Sequence, residues 1–167
     1  MTLDTLWQAL EASPVGAFVA ASPWAFPTIE SLHVIAIVTV VGAIAVMDLR
    51  LLGLASRDSA VTAVSRDTLP LTWGAFVLAV ITGSLLFVSK AHGYAINPYF
   101  QVKMACLFLA GLNMALFHLT SWRTVAGWDT GRPAPRAAKI AAAFSLLFWL
   151  CVIFFGRAIG FTLGIYE

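Results

Sequence analysis

The sequence PTIESLHVIAIVTVVGAIAVMDLR, at residues 27–50, decides the fold. Its middle, residues 31–47, contains no Lys, Arg, Asp or Glu, so the charged groups stand near its two ends. A helix over this stretch, at a rise of about 1.5 Å per residue, is about as long as a bilayer core is thick. A water-soluble core helix would carry a polar stripe along its whole length. The stretch therefore predicts a membrane span with polar groups at both ends.

The composition of the whole chain supports a membrane protein. Of its 167 residues, 60% are hydrophobic and only 11% are charged, whereas soluble domains carry about 25% charged residues. The net charge is +2, and no basic run predicts a nucleic-acid partner. Cys106 and Cys151 lie in apolar stretches without a CxxC motif, so we expect two free thiols. The length fits one domain, residues 1–167, in contact with the lipid bilayer.

The N-terminal segment has the pattern of a short amphipathic helix. Apolar residues recur at helical spacing at Leu3, Leu6, Trp7 and Leu10. The segment is too short to cross a bilayer, so we expect an interfacial helix over about residues 2–20, with Trp7 and Trp24 at headgroup depth. Packing of this helix on the end of the bundle is compatible with that position.

Further charge-poor segments follow the first span and are separated by short polar loops. The predicted spans cover about residues 27–53, 68–89, 100–122 and 140–163. Spans joined by short loops pack most simply as an up-down-up-down bundle. The fold class predicted is all-α: an integral membrane four-helix up-down bundle with an N-terminal interfacial amphipathic helix.

Lys and Arg predict the orientation. Ten such residues are present, and seven follow the first and third spans: Arg50, Arg57, Arg66, Arg123, Arg132, Arg136 and Lys139. The three on the opposite side are Lys90, Lys103 and Arg157. Because cytoplasmic loops are enriched in Lys and Arg, the first side is predicted to be cytoplasmic. We therefore expect a multi-pass protein of the bacterial inner membrane with both termini in the periplasm.

Ionisable residues from separate spans share a depth near the predicted periplasmic end. Counted from the helix ends, Glu30 and Lys103 come at about 3–5 Å, and His33 and Arg157 at about 7–9 Å. One interpretation of this outer layer is structural, with Glu30 in an ion pair with Lys103 or Arg157.

The same layer supports three cofactor hypotheses. Haem b would take His33 as an axial ligand, and Lys103 and Arg157 would hold its propionates. A quinone would exchange protons with His33 and Glu30. Copper(I) would prefer His33 with Met104 or a cysteine, and His118 is the further candidate ligand.

A second polar layer is predicted near the cytoplasmic end, made of Asp48, Trp73, Asn113 and His118. On the third span, a stripe running from Lys103 through Met114 to His118 is expected to face inward. Asp48 has a structural alternative, an ion pair with Arg50 or Arg123. His33 and His118 differ by about 18 Å in depth, so they cannot bind one metal ion or one haem iron together.

Small residues mark a close-packing face in the last span. Gly156, Gly160 and Gly164 are spaced four apart, which lets another helix approach closely. That helix could belong to this bundle, to a second copy or to a partner protein. No nucleophile elbow, phosphate loop or metal-ligand motif is present, so we do not expect an autonomous enzyme.

Five segments carry a family resemblance: WAFPTIESLH, VGAIAVMDLRLLG, TGSLLF, NPYFQVKM and FFGRAIGF. In this order they resemble an uncharacterised family of bacterial four-helix membrane proteins, a domain of unknown function. The stretch LHVIAIVTVVG, with a lysine-bearing third span, is more loosely similar to the copper-resistance D family. This chain lacks the Met- and His-rich outer loops expected for copper handling. The first resemblance implies the fold and no activity.

These observations favour an integral membrane protein of the redox-accessory or cofactor-holding class. Its expected site is the outer layer, with haem b or a quinone as the cofactor. The alternatives are a copper-handling membrane protein and a structural or assembly subunit of a larger membrane complex.

Overall fold

The chain is built from helices in a computed structural model that describes residues 2–165. The described part contains no strand. Its α-helices are α1 (Leu3–Glu11), α2 (Pro14–Ala21), α3 (Ala25–Leu52), α4 (Val61–Ser89), α5 (Ala91–Ile96), α6 (Pro98–Leu119) and α7 (Arg136–Thr162). Two 3-10 helices cover Ser121–Gly127 and Leu163–Ile165.

Four of these helices, α3, α4, α6 and α7, are long and apolar enough to cross a membrane. They pack against one another as an all-α four-helix bundle, which confirms the predicted fold class. The exposed faces of all four are covered by large apolar side chains, as contact with lipid requires. The protein is therefore a multi-pass membrane protein.

The two ends of the bundle differ in charge. At one end lie the N-terminal helices, α5 and the end of α7; we call it the termini-bearing end. At the other end α3 and α6 finish and α4 and α7 begin; we call it the arginine-rich end. Its basic residues are Arg50, Arg57, Arg66, Arg123, Arg132, Arg136 and Lys139.

The fourth helix of the chain begins earlier than the sequence pattern predicts. We expected a polar loop up to residue 67, but α4 starts at Val61. Val61 and Val64 are buried at 0% and 9% exposure, so the first turns of α4 have an apolar face of their own. The observed ends of the other three spans differ from the predicted ends by one to four residues, because a sequence pattern locates a helix better than it locates the helix ends.

Asp129, in the loop before α7, caps the start of α4 from a distance. Its carboxylate accepts hydrogen bonds from the Thr62 backbone N–H and hydroxyl, both at 2.8 Å. Its carbonyl accepts from the Val61 N–H at 3.1 Å. These bonds satisfy N–H groups that the first turn of a helix leaves without partners. The same hydrogen bonds stabilise the charged form of the Asp129 carboxylate, and the positive charge of Arg50 stabilises it further. The pKa of Asp129 therefore lies below its ordinary value.

This cap predicts a pH-dependent stability. A carboxyl with a lowered folded-state pKa stabilises the protein above its unfolded pKa of about 3.9, and the contribution is lost as the pH falls through the folded value. We expect Asp129→Asn to lower the melting temperature at neutral pH, and the difference from wild type to shrink below about pH 4. Thermal unfolding of both proteins in detergent, at several pH values from neutral to acidic, measures this difference in melting temperature. A difference that stays constant with pH would contradict the cap.

The N-terminal segment forms two helices packed on the termini-bearing end, where one interfacial helix was expected. Pro14 begins α2, and the Ser13 hydroxyl caps it by accepting from the Gly16 N–H at 3.1 Å. Trp7 packs edge-to-face on Phe87 of α4, with ring centroids 5.8 Å apart. The segment is thus attached to the bundle itself.

The bundle has one loosely closed side. α3 packs on both α4 and α7, and α6 packs on α7, whereas the backbones of α4 and α6 stay apart. At the termini-bearing end the Phe87 ring of α4 stacks on the Phe100 ring of α6, with centroids 5.5 Å apart. The helices therefore follow the order α4, α3, α7, α6 around the bundle. The gap between α4 and α6 positions the candidate site.

Candidate functional site

A cavity of about 190 Å³ lies in the arginine-rich half of the bundle. All four spanning helices contribute to its wall: residues 40–51 of α3, 65–76 of α4, 107–118 of α6 and 141–149 of α7. Most of the wall is aliphatic or aromatic. Asp48 is the one carboxylate among the described residues that line it.

The cavity opens sideways, through the gap between α4 and α6. Its lining residues on α3 and α7 are buried or partly buried, with Ala142 at 1% and Trp149 at 7% exposure among the most buried. On the other two helices the lining is open, with Trp73 of α4 at 48% and Met114 of α6 at 43%. The floor is therefore formed by α3 and α7, and the mouth between α4 and α6 faces the bilayer.

Asp48 lies in the floor of this cavity, and its side chain is not fully satisfied. The residue is 5% exposed, and its Oδ2 has no hydrogen-bond partner among the described residues. Ser145 of α7 is close enough to interact with the carboxylate. A buried polar atom without a partner costs about 1–3 kcal/mol. Such an atom facing a cavity is available to a ligand.

The structural alternative for Asp48, an ion pair with Arg50 or Arg123, is wrong. Arg50 lies two positions further along α3, and side chains at that spacing do not face each other on a helix. Its guanidinium donates instead to the Ser59 and Asp129 carbonyls, at 2.7 and 3.3 Å. No carboxylate-to-guanidinium contact involving Asp48 occurs in the described residues.

All four residues of the predicted second polar layer line this cavity. Asn113 links two helices there, because its Nδ2 donates to the Ala141 carbonyl of α7 at 2.9 Å. His118 Nδ1 donates to the Met114 carbonyl at 2.9 Å, so its ring is held by its own helix. Met114 and His118 are exposed at the mouth, so this part of the stripe predicted to face inward on α6 borders the cavity and is not packed against another helix.

At the termini-bearing end, the structure brings His33 and Lys103 together. The Thr82 hydroxyl donates to the Leu78 carbonyl at 2.7 Å, so its oxygen accepts from His33 Nδ1–H at 2.9 Å. In that tautomer Nε2 is the ring nitrogen left for a further partner, and the Ala79 carbonyl also lies within hydrogen-bonding reach of the ring. Lys103 lies close enough for its charge to act on the ring. The aliphatic part of the Lys103 side chain packs on Gly156 of α7. Its Cδ and Cε atoms lie 3.9 Å from the position that a β-carbon on Gly156 would occupy.

Glu30 and Arg157, the other members of the predicted outer layer, do not join this pair. Glu30 is exposed in the first turns of α3. Arg157 is also exposed, and its guanidinium lies 4.5 Å from the ring centre of Phe161. The expected ion pair of Glu30 with Lys103 or Arg157 is therefore absent, because these side chains leave α3 and α7 on outer faces where water and headgroups solvate them.

The candidate metal ligands do not converge on one point. Met104 and His118 are separated by fourteen residues of α6, about 21 Å along its axis. Met104 is 44% exposed. The described residues contain no group of three His, Cys, Asp or Glu side chains arranged to hold a metal. Cys106 and Cys151 are free thiols that contact each other between α6 and α7.

The glycine face of α7 is only partly used inside the bundle. Gly156 faces the Lys103 stem. A β-carbon built on Gly160 would have one neighbour within 4 Å, the Arg157 guanidinium of the same helix at 3.8 Å. A β-carbon built on Gly164 would have none within that distance. Docking of a second copy or a partner on this face stays a prediction.

The His33 ring packs directly against Gly83 of α4, and this contact leads to a mutational prediction. A β-carbon at Gly83 would lie 2.9 Å from Cε1 and 3.4 Å from Nδ1 of His33. Gly83→Ala therefore forces the ring away from Thr82, and we expect a loss of about 1–2 kcal/mol in the free energy of unfolding. Gly74→Ala on the same helix is the control, because nothing lies within 4 Å of that position. Equal effects in both variants would contradict this packing.

The sequence did not predict several residues of the cavity. Ser145 and Trp149 of α7 were not singled out, because an isolated serine or tryptophan in an apolar span has no distinctive spacing. Gly111 of α6 also lines the cavity, and nothing lies within 4 Å of a β-carbon built there. The only available signal was depth, since all three lie at the level of the predicted second polar layer.

Comparisons with known proteins give a family and no activity. No curated protein matches this chain. No solved structure matches it either. The resemblance to the copper-resistance D family finds no support in these comparisons. The model of one family, described as a family of unknown function (DUF6644), matches residues 13–162. Because that match covers nine-tenths of its length, the chain belongs to this family.

Proposed function

We propose that this protein holds the head group of a lipid-soluble quinone or quinol in the cavity between α4 and α6. The observation that carries the proposal is Asp48: a buried carboxylate in a membrane span, with one oxygen left without a partner and a cavity beside it. Intramembrane ionisable residues that are not paired usually mark a ligand or ion site.

The size and lining of the cavity favour a single substituted ring. An apolar cavity of about 150 Å³ is known to hold one benzene molecule, and this cavity measures about 190 Å³. A haem macrocycle is several times larger than benzene, so the volume favours a single ring over a haem. Trp73 and Phe76 stand edge-to-face at 5.9 Å on one side, and Trp149 lies in the floor. Aromatic side chains pack well against a planar ring.

The chemistry of Asp48 suits both oxidation states of such a ligand. An ionised carboxylate accepts a hydrogen bond from a quinol hydroxyl, and a protonated one donates to a quinone carbonyl. A hydrophobic tail on the ligand would leave through the mouth between α4 and α6 into the bilayer. Under this proposal the protein belongs to the redox-accessory class.

Gly111→Phe tests the proposal by filling the cavity. Gly111 lines the cavity, and nothing lies within 4 Å of a β-carbon built there, so a larger side chain can start from this position without displacing its neighbours. We expect detergent-purified wild type to bind a short-chain benzoquinone saturably, measured by quenching of tryptophan fluorescence, and Gly111→Phe to lose about tenfold or more in affinity.

The matched control is Gly42→Phe. Gly42 lies on the exposed face of α3, has nothing within 4 Å and does not line the cavity. This variant is expected to keep wild-type affinity and wild-type melting temperature. Non-saturable quenching, or the same loss of affinity in both variants, would remove the proposal.

Haem b at His33 is a second candidate, favoured by one observation. The hydrogen bond from Nδ1 to Thr82 leaves Nε2 as the atom that could bind iron, and Lys103 is near enough to meet a propionate. An absorption spectrum of the purified protein, oxidised and then reduced, decides this candidate. Without a Soret band it fails, and the quinone proposal is unaffected. Copper handling and complex assembly stay predictions.

A further inference from the structure

A second pocket, of about 480 Å³, lies on the surface of the arginine-rich end, outside the cavity described above. It is formed by the end of α3, the loop that follows it, and the segment leading into α7. Four cations line it, namely Arg50, Arg57, Arg132 and Lys139. The described lining contains no carboxylate. A pocket that gathers cations from separate segments without an acid is suited to an anion.

The geometry of Arg50 shows that this charge is built into the fold. Arg50 is only 4% exposed, and the Ser59 and Asp129 carbonyls hold its guanidinium. Carbonyl groups fix a guanidinium in position without neutralising its charge. Asp129 lies near enough for its charge to act on Arg50, but both of its carboxylate oxygens bind Thr62 at the start of α4, and neither accepts a hydrogen bond from the guanidinium. Guanidinium N–H groups not used by the two carbonyls are therefore available to a ligand.

The loops on either side keep the pocket open. Arg57 folds back to donate from Nε to the Gly53 carbonyl, which holds its guanidinium at the rim. Gly53 and Gly131 both line the pocket with positive φ, +74° and +70°, and nothing lies within 4 Å of a β-carbon built on either. These left-handed turns are favourable mainly for glycine, and they leave room above the cations.

We propose that this pocket binds a phosphate group at the membrane surface. Arginine presents N–H groups in a fork that matches phosphate oxygens, and lysine adds a mobile charge. The pocket borders the end of a span, where phospholipid headgroups lie, and Leu51 and Leu52 add apolar surface beside the cations. Basic pockets beside spanning helices are a recurrent site for anionic headgroups. The phosphate comes either from an anionic phospholipid or from free phosphate.

The test removes the two cations whose side chains make no hydrogen bond or ion pair with the described residues, Arg132 and Lys139. In Arg132→Gln/Lys139→Gln, two charges leave the pocket while Arg50 and its carbonyl contacts remain. The detergent-purified full chain is titrated with short-chain phosphatidylglycerol, and bound lipid is counted by native mass spectrometry. We expect the double variant to lose about tenfold or more in affinity.

The matched control removes the same charge from the same end. Arg66 and Arg123 are both exposed and do not line the pocket, so Arg66→Gln/Arg123→Gln is expected to change the affinity about twofold at most. An equal loss in both double variants would mean diffuse attraction to a basic surface and would overturn the proposal. An unchanged affinity in the pocket variant would overturn it as well.

Two further arms identify the source of the phosphate. If a lipid headgroup is the ligand, phosphatidylglycerol binds more tightly than zwitterionic phosphatidylcholine, and inorganic phosphate leaves the melting temperature unchanged. If free phosphate is the ligand, inorganic phosphate alone raises the melting temperature of wild type and not of the pocket variant. Binding of neither probe would overturn the proposal.

Discussion

Asp48→Leu is expected to weaken quinone binding and, at the same time, to stabilise the protein. A hydrogen bond to a charged group contributes about 1.5–3 kcal/mol, so its loss lowers the affinity by about 10- to 150-fold. A buried polar oxygen without a partner costs about 1–3 kcal/mol, which leucine removes. The free energy of unfolding is therefore expected to rise by a similar amount. Benzoquinone titration and thermal unfolding of one preparation measure both effects.

A fall in quinone affinity together with a rise in the free energy of unfolding would indicate that Asp48 binds a ligand and does not stabilise the fold. A carboxylate kept for stability would make Asp48→Leu less stable, and binding would be lost only because the fold is lost. Asp48→Asn keeps the shape and is expected to fold normally with reduced affinity. Asp67→Leu, with a side chain 75% exposed at the same end, is the control and should change neither quantity. A destabilised Asp48→Leu variant with full affinity would contradict the site.

Gly16→Ala is expected to detach the N-terminal helices from the bundle. A β-carbon at Gly16 would lie 2.7 Å from the Val88 carbonyl oxygen of α4 and 2.7 Å from that of Leu10. These are backbone atoms of packed helices, so neither can move aside cheaply. We expect a loss of about 3 kcal/mol in the free energy of unfolding. We also expect faster protease cleavage near residue 22, where α2 ends.

Gly42→Ala provides the comparison for this variant. Gly42 lies in a spanning helix with nothing within 4 Å, so alanine there is expected to be neutral or slightly stabilising. Limited proteolysis and thermal unfolding of the two variants should therefore differ clearly. An intact N-terminal segment in Gly16→Ala would mean that α2 does not lie against the Val88 carbonyl.

Helix number and depth could be predicted from the sequence because both follow from length. A charge-free run has to be long enough to cross the bilayer, and a helix rises by a fixed amount per residue. That reasoning predicted one level for Asp48, Trp73, Asn113 and His118, and these four residues line one cavity. The depth of a residue follows from its position along its own helix, so it can be predicted without knowing which helices are neighbours.

The direction of each side chain could not be predicted in the same way. In a soluble helix the polar stripe marks the outside, but a span is apolar on its lipid face as well as inside, so that signal is lost. Glu30 and Arg157 have a depth similar to His33 and yet lie outside the bundle. The close approach at Gly16 was also missed, since its packing depends on a carbonyl of α4 seventy-two residues away.

The most direct test of the quinone site is photoaffinity labelling. A short-chain azidobenzoquinone is photolysed with the purified protein, with and without excess unlabelled benzoquinone, and the labelled peptides are identified by mass spectrometry. We expect competable labelling around residues 69–76 of α4 and 107–118 of α6, and its loss in Gly111→Phe. Labelling centred on His33 and Lys103, or labelling that unlabelled benzoquinone does not reduce, would contradict it.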